Sequence, residues 1–479
     1  MSEAKKQVEQ ITSQEKDFAQ WYTDVCLKSE LCIYSGVKGF VVIRPYGWAL
    51  WENVMNNVDA RLKKMGVTNV AMPVLIPEHL LLKEKEHVEG FAPECAWVAC
   101  GGDDILEDRL AVRPTSETVF CDYWHDVVHS YRDLPQLLCQ WGSVVRWEKE
   151  TRPFLRTREF FWHEGHTLHA TPEESLKFTL DILYMYEDFI QNDAAIPVLK
   201  GKKTEKEKFA GAQATYTVES IMKDGKALQS GTSHYFGDNF AKAFDIKYLD
   251  KNNKLTYATE TSWAISSRII GALIMVHGDD NGLKLPPHLA PIQVRVVPIR
   301  MTDKNNVDKA NEIYESLKKA GIRTDIDLSD KTPGYKFSDC EMKGIPLRLE
   351  IGPKDIEKGA CVLVRRDTGE KVEVKLNELD SKIKELLELI QKNMFEVAKK
   401  FLDDHIDVAL TKEELISKMN NKKGFIKAMH CGCEECEIEL KDETGISSRC
   451  IPMEQEQLSD KCVVCGKPAK YEVIWGKSY

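Results

Sequence analysis

Trp141-Gly-Ser-Val-Val-Arg-Trp-Glu148 and, after a short spacer, Phe154-Leu-Arg-Thr-Arg-Glu-Phe-Phe-Trp-His-Glu164 decide how this chain is read. From Leu137 to His169 the pattern predicts a hairpin of two antiparallel strands. Strand alternation puts Arg146 and Glu148 on one face, with Val145 and Trp147 on the other. On the returning strand Arg156, Arg158, Phe160, Trp162 and Glu164 share a face. The hairpin then offers guanidinium groups, carboxylates and aromatic rings to one surface. Guanidinium groups pair bidentately with phosphates, and an aromatic face suits stacking on a purine. A surface salt-bridge ladder would show the same alternation, so the neighbouring segments must decide between them.

Pro45 precedes a helical pattern over Trp48–Met65, apolar at Trp48, Trp51, Val54, Met55, Val58 and Leu62 and stopped by Gly66. A strand is predicted at Asn69–Met72, ahead of Pro73. Residues 1–30 read as helical, with Phe18, Trp21, Val25 and Cys26 on one face, and Pro172–Gln191 carries another helical pattern. Pro286-Pro287-His-Leu-Ala-Pro291 is the best domain boundary. Beyond it strands Ile292–Ile299, Ile322–Asp327, Pro346–Ile351 and Cys361–Arg365 alternate with a helix at Val307–Lys319, a compact α/β unit. Residues 376–402 form an amphipathic helix, and the charged tail after them holds six of the 14 cysteines. A chain of 479 residues needs several domains. The predicted divisions are 1–285, 286–402 and 403–479.

With 43% hydrophobic and 30% charged residues the composition is that of a globular protein. No apolar run approaches the ~18 residues a membrane span needs. Met1-Ser-Glu-Ala-Lys-Lys opens without an apolar signal core, so a cytoplasmic location is expected. A net charge of −10 gives no global basic footprint, yet a local basic patch can still dominate an RNA-binding face. In a reducing compartment the cysteines are free thiols or metal ligands rather than disulfides. Cys431 and Cys436 are separated by four residues, and Cys462 and Cys465 by two. Two close pairs suit a tetrahedral four-thiolate Zn²⁺ site, structural because no coordination position is left open. Cys433 and Cys450 are spare, so a ligand set that uses Cys433, or plain free thiols, stays open.

The hairpin resembles motif 2 of class II aminoacyl-tRNA synthetases, with Arg146, Glu148, Arg156, Phe160 and Glu164 at the motif's places. Trp48–Pro73 resembles motif 1, and Ser262-Trp-Ala-Ile-Ser-Ser-Arg268-Ile-Ile-Gly271 resembles motif 3. Arg113-Pro-Thr-Ser-Glu117, Lys203-Thr-Glu-Lys-Glu-Lys-Phe-Ala-Gly211, Gly231-Thr-Ser-His234 and the run from His277 to Pro287 narrow the likeness to the prolyl-tRNA synthetase family, in its archaeal/eukaryotic-type form. It departs at Ser230, where relatives often carry glycine, and at Ser266-Ser267, where they often carry threonine.

This resemblance implies a multidomain α+β and α/β fold. It comprises a class II antiparallel-sheet catalytic domain, an α/β anticodon-binding domain and a small C-terminal zinc-binding α/β domain. It implies a homodimer that activates L-proline with ATP and Mg²⁺ and passes the prolyl group to tRNA(Pro). Arg146 would hold the α-phosphate and the proline carboxylate, and Glu148 would face adenine. Phe160 would stack on adenine, with Arg268 covering its other side. Arg156 and Arg268 would take the outer phosphates, and Thr157, Gln229, Thr232 and Ser266 would complete the nucleotide site. Thr115 and Glu117 would accept the two N–H bonds of proline's cationic amine, within a wall of Phe160, Trp162, His166 and His234. Lys336, Glu341 and Arg348 are candidates for reading anticodon bases, and Cys431, Cys436, Cys462 and Cys465 would bind Zn²⁺. The interval between motifs 2 and 3 leaves no room for an inserted editing domain.

Other readings weigh less. His163-Glu-Gly-His166 mimics a class I synthetase signature, but it sits in a strand rather than at a helix start. Lys200–Lys208 reads either as a solvated loop or as a phosphate or tRNA contact. An inactive synthetase-like RNA-binding regulator should have lost motif arginines, and Arg146, Arg156 and Arg268 are all present. A class II synthetase for another amino acid is the remaining alternative.

Overall fold

The computed structural model describes residues 10–83 and 95–479. The hairpin forms as predicted, with strands Gln136–Val145 and Glu159–His169 antiparallel in unbroken register from Gln136↔Leu168 to Val145↔Glu159. Strand Thr259–Ser266 lies against its outer side, followed by Ala227–Gly237, Ala214–Ile221 and Leu199–Lys202, all antiparallel. The alternation argument fails at the tip. The first strand stops at Val145, so Arg146, Glu148, Arg156, Thr157 and Arg158 lie in the connecting loop. Pro153 and the positive φ of Phe154 (59°) turn the loop back on itself, with Arg152 bridging Arg156. The arginines therefore hang over the sheet instead of standing on it.

Three helices back the sheet with one core. Helix Pro45–Lys64 starts with proline in its first turn and buries Leu50, Trp51, Val54, Val58 and Leu62 as a stripe. Gly66, at φ 84°, ends it in the left-handed region. Helices Pro172–Asn192 and Arg268–His277 complete the packing, the latter buried almost all round. The strand predicted at Asn69–Met72 shrinks to Thr68–Asn69. Met72 instead gives its N–H to Gln140 Oε1 (3.0 Å) and its carbonyl to Arg113 Nη1 (3.0 Å), so side chains take the place of a strand neighbour. The N-terminal helix is shorter than read, Phe18–Lys28, and residues 1–9 lie outside the described residues.

After the proline-rich boundary, five strands form a mixed sheet in the order Thr324–Ile326, Val294–Pro298, Leu347–Ile351, Ala360–Arg365, Lys371–Lys375. The last of these, Lys-Val-Glu-Val-Lys, was not expected, because its charged edge alternation reads as a polar run. Helix Leu379–Asp404 covers this sheet.

The C-terminal region has no sheet to itself. Its strands Ile406–Val408, Phe425–His430, Tyr471–Gly476 and Ser447–Pro452 continue the catalytic sheet, because Ile451 and Pro452 pair with Lys202 and Gly201. One sheet of eleven strands results. Among the described residues no helix is long and apolar enough to cross a membrane.

Gly165 shows how tightly the centre is built. A Cβ there would lie 2.0 Å from Trp263, whose indole crosses the strand at that point. Gly165→Ala is expected to lower stability by roughly 2–3 kcal/mol, the cost of overpacking a closed core. Urea unfolding followed by tryptophan fluorescence measures it, and an unchanged midpoint would contradict this packing.

Candidate active site

A cleft opens over one face of strands Glu159–His169, Thr259–Ser266 and Ala227–Gly237. Every residue proposed from sequence for the amino acid or the nucleotide lines it: Thr115, Glu117, Arg146, Glu148, Arg156, Thr157, Phe160, Trp162, His166, Gln229, Thr232, His234, Ser266 and Arg268. It also brings in Glu164, Phe209 and Ser262, to which sequence reasoning had given no role in the site.

One end is acidic and almost closed. Thr115 and Glu117 are 2% and 4% exposed. The Thr115 hydroxyl donates to Glu117 Oε2 at 2.6 Å, and Ser262 donates to Oε1 at 3.2 Å. Glu164 fixes this loop from below. It accepts from the Ser116 backbone N–H (3.1 Å) and from Gln140 Nε2 (2.6 Å), and His166 Nε2 lies 3.2 Å from it. The motif marked Glu164, but only the fold shows that it works by holding Ser116. His166 stacks on Phe120 with centroids 4.2 Å apart. His234 lies against Phe209 (4.5 Å) and shares a hydrogen bond with the Thr215 hydroxyl (2.9 Å). Burial pushes His234 down to about 4, so it is neutral near pH 7.

The other end is cationic. Arg146 donates to the Pro114 carbonyl at 3.0 Å and sits over the rings of Phe160 (5.3 Å) and Trp162 (5.5 Å). Arg268 donates from Nε to the Leu155 carbonyl (3.2 Å). Burial, and then the neighbouring charges of Arg156 and Arg146, push its guanidinium down to about 10. Arg156 lies 3.7 Å from Glu148 and is half exposed. Three guanidinium groups thus crowd one wall, an arrangement that a polyanion would relieve.

His163 points to the opposite face. It is fully buried against Tyr186 and Cys139, and burial pushes it down to about 3. The class I mimic is therefore a core histidine.

The C-terminal thiols converge. Cys431 Sγ is 3.7 Å from both Cys436 Sγ and Cys465 Sγ. Ligand atoms of His430, Cys431, Cys436 and Cys462 all lie within 4.8 Å of one another, a group able to hold a metal ion. Sequence reasoning missed His430, since a lone histidine beside a cysteine carries no spacing signal. Its Nδ1 accepts the Gly432 N–H at 3.2 Å, which occupies that lone pair and leaves the proton on Nε2. That tautomer is a poor ligand, which favours Cys465 as the fourth donor. Cys433 turns away to Glu435 (2.6 Å).

In the mixed-sheet unit Glu341 and Arg348 meet (3.6 Å) at one polar cleft, and Arg348 stacks on Phe337 (4.1 Å). Lys336 stands apart from them. It is 1% exposed and donates to the Asp327 carbonyl at 2.8 Å.

Residues 97–277 match the family of the tRNA synthetase class II core domain (G, H, P, S and T), and residues 293–386 match an anticodon binding domain. The cleft, with its motif arginines, is accordingly that of a class II aminoacyl-tRNA synthetase. Residues 412–479 match the C-terminal domain of prolyl-tRNA synthetase. Along its whole length the chain is 58% identical to the proline–tRNA ligases of Clostridium novyi and Lachnospira eligens, each covered completely. It is also 58% identical over 476 residues to proline–tRNA ligase 2 of Bacillus cereus, covering 99% of this chain and all of that one. The chain belongs to the proline–tRNA ligase family. These relatives are bacterial, although the form it resembles is named for archaea and eukaryotes.

Behind the acidic end, one helical turn from Glu117, Cys121 donates to Glu260 Oε2 at 3.3 Å, and Glu260 Oε1 has no partner among the described residues. Burial, with Glu117 adding to it, pushes this carboxyl up to about 8. The folded protein then binds a proton that the unfolded chain, near the ordinary 4.5, releases. The stability from this group is complete below the unfolded value and is lost as pH rises through the folded one. Glu260→Gln should remove a fall of roughly 1 kcal/mol per pH unit between about pH 5 and pH 8. Urea midpoints of both proteins across that range measure it, and parallel pH curves would sink the assignment.

Proposed function

We propose that this protein is an ATP-dependent ligase that joins L-proline to tRNA(Pro) through a prolyl-adenylate. The observation that carries the reading is the polarity of one cleft, with a buried carboxylate and hydroxyl at one end and three guanidinium groups at the other. A zwitterionic amino acid bound between them has its ammonium on Glu117 and Thr115 and its carboxylate toward Arg146. Activation is an in-line attack of that carboxylate on the α-phosphorus. It depends on alignment and on neutralising charge more than on a proton shuttle. Arg146 is placed to contact both reacting groups. Phe160 and Arg268 sandwich adenine, Glu148 orders its edge, and Arg156 and Arg268 take the outer phosphates. Thr157, Gln229, Thr232 and Ser266 complete the nucleotide site. ATP brings Mg²⁺, which neutralises phosphate charge, and Glu148 and Gln229 offer oxygen donors on that wall. Phe160, Trp162, His166 and neutral His234 enclose the pyrrolidine ring.

We assign residues 1–285 to catalysis, 286–402 to anticodon recognition and 403–479 to the metal-binding region. Glu341 and Arg348 are the anticodon-reading candidates, and Lys336 supports them by bracing Asp327. Cys431, Cys436, Cys462 and Cys465 hold a structural Zn²⁺. Tetrahedral Zn–S bonds set sulfurs about 3.8 Å apart, and Cys431 Sγ lies 3.7 Å from the sulfurs of Cys436 and Cys465. A cytoplasmic homodimer fits the family. The helix Pro45–Lys64 packs its apolar face inside its own chain, so that face does not serve the interface. The exposed Ile33, Tyr34, Val37 and Val42 of the Cys32–Ile43 hairpin supply an apolar patch instead. Sedimentation should give a particle of twice the 54.7 kDa chain, and a monomer at micromolar protein would overturn the dimer.

Proline-dependent ATP–pyrophosphate exchange, run against all twenty amino acids, tests the activity. Arg146→Ala should lower exchange by about 10²–10³, the usual loss when one donor to developing charge is removed. Near-normal exchange in a folded variant would contradict its role. Cys436→Ser should release most of the metal, while Cys433→Ser and His430→Gln keep one zinc per chain. Metal lost from His430→Gln and retained by Cys465→Ser would mean that the histidine is the fourth ligand.

A further inference from the structure

The lysine-rich segment 203–211 turns its first charge inward and pairs later ones at the surface. Lys203 is 3% exposed and donates to the buried Glu219 at 2.7 Å, and Lys208 pairs with Glu205 at 2.8 Å. Its start is tied to the C-terminal region in three ways. The strand before it pairs with Ile451 and Pro452. Arg449 places Nε and Nη2 on the far oxygen of the same Glu219, at 3.1 and 2.9 Å. The Thr204 hydroxyl donates to Glu437 Oε2 at 2.8 Å, and Ser448 donates to that same oxygen. Glu437 is 3% exposed and follows Cys436 on helix Glu434–Thr444. The other end of the segment reaches the cleft. The Phe209 N–H donates to Thr215 Oγ1 (2.9 Å), and its ring covers His234 at 4.5 Å.

We propose that Glu437 and Arg449 are positioning residues for amino-acid binding. They clamp the root of segment 203–211, so that Phe209 closes the His234 side of the pocket. The inference rests on the reading of that pocket as the proline site. Thr204 and Ser448 are each 1% exposed, so without the Glu437 carboxylate two buried hydroxyls 3.2 Å apart have only each other, and one loses its acceptor. The root then loosens, and Phe209 must be ordered afresh each time the amino acid binds. The phosphate-facing arginines do not depend on this segment, since Arg268 is held by the Leu155 carbonyl. Amino-acid and nucleotide binding should therefore separate.

The test uses the full-length, metal-loaded protein in the exchange assay. Glu437→Ala should raise KM for proline roughly tenfold, with KM for ATP and kcat nearly unchanged and metal content intact. Glu437→Gln keeps a carbonyl that accepts both hydroxyls and should restore KM. Thr204→Val cuts the clamp from the loop side, away from the thiols, and should act like Glu437→Ala even where that variant folds poorly. Amide hydrogen exchange should quicken over residues 203–211 in both disrupted variants. Unchanged proline KM, or equal rises for proline and ATP, in folded Thr204→Val would overturn the proposal. Glu117→Gln separates the two layers of argument. If it leaves proline KM unchanged, the pocket reading fails. If it raises proline KM while Thr204→Val does not, the clamp alone fails.

Discussion

A single carboxylate holds the two halves of the large sheet in register. Glu219 is fully buried in strand Ala214–Ile221, with Lys203 on one oxygen and Arg449 on the other. Burial alone would raise its pKa, but Arg449 and Lys203 hold it below the ordinary value, so it stays charged. Replacing such an ion pair with apolar groups need not weaken a fold, but removing one partner leaves a buried charge and typically costs ~3–5 kcal/mol. What the triad contributes is specificity of docking. It fixes strand Ser447–Pro452 beside Leu199–Lys202.

The cleft depends on keeping charge where it is needed. Beside the cleft carboxylate Glu117, burial pushes the Glu260 carboxyl up to about 8, with the charge of Glu117 adding to it, so the pair does not carry two full negative charges near pH 7. Burial also keeps His234 neutral, so it adds no positive charge on that side. At the opposite wall the repulsion among Arg146, Arg156 and Arg268 is left unrelieved by burial and partly offset by Glu148. Desolvation acts at both ends of the site, and at the cationic end the crowding of Arg156 and Arg146 adds to it.

What could be read from the sequence was local. The hairpin, the stripe on helix Pro45–Lys64 and the helix Pro172–Asn192 follow from periods of two and 3.6 residues within short windows. The motif residues were found through the resemblance to class II synthetases, carried by residue types at fixed spacings. What escaped depends on distant pairing. Nothing in Ile451-Pro452 announces that it meets Lys202-Gly201 some 250 residues away, so the C-terminal region looked like an independent unit. Lys203 read as part of a solvated loop or of a phosphate or tRNA contact, because its partner Glu219 lies on the next strand. Alternation was carried past Val145 because nothing in Arg-Trp-Glu shows where strand gives way to loop. Phe209 was marked by the family-like segment Lys203–Gly211 but given no role, since an aromatic residue in a lysine-rich loop takes its meaning from the histidine it covers.

Parity explains how one sheet carries both the chemistry and the core. On strand Glu159–His169 the even positions Phe160, Trp162, Glu164 and His166 face the cleft. The odd positions Phe161, His163 and Gly165 meet Trp48, Tyr186 and Trp263 on the helical side. The registers Trp162↔Ser266, Glu164↔Ala264 and His166↔Ser262 pass this parity to the next strand, and Ala264↔Thr232 and Ser262↔His234 pass it on again. A one-residue slip in any of these pairings would turn the arginine-facing aromatics into the core and His163 into the cleft. Trp263 lying across Gly165 resists such a slip, because only a glycine leaves room for that indole. The residue with no side chain therefore keeps the reactive face of the sheet facing outward.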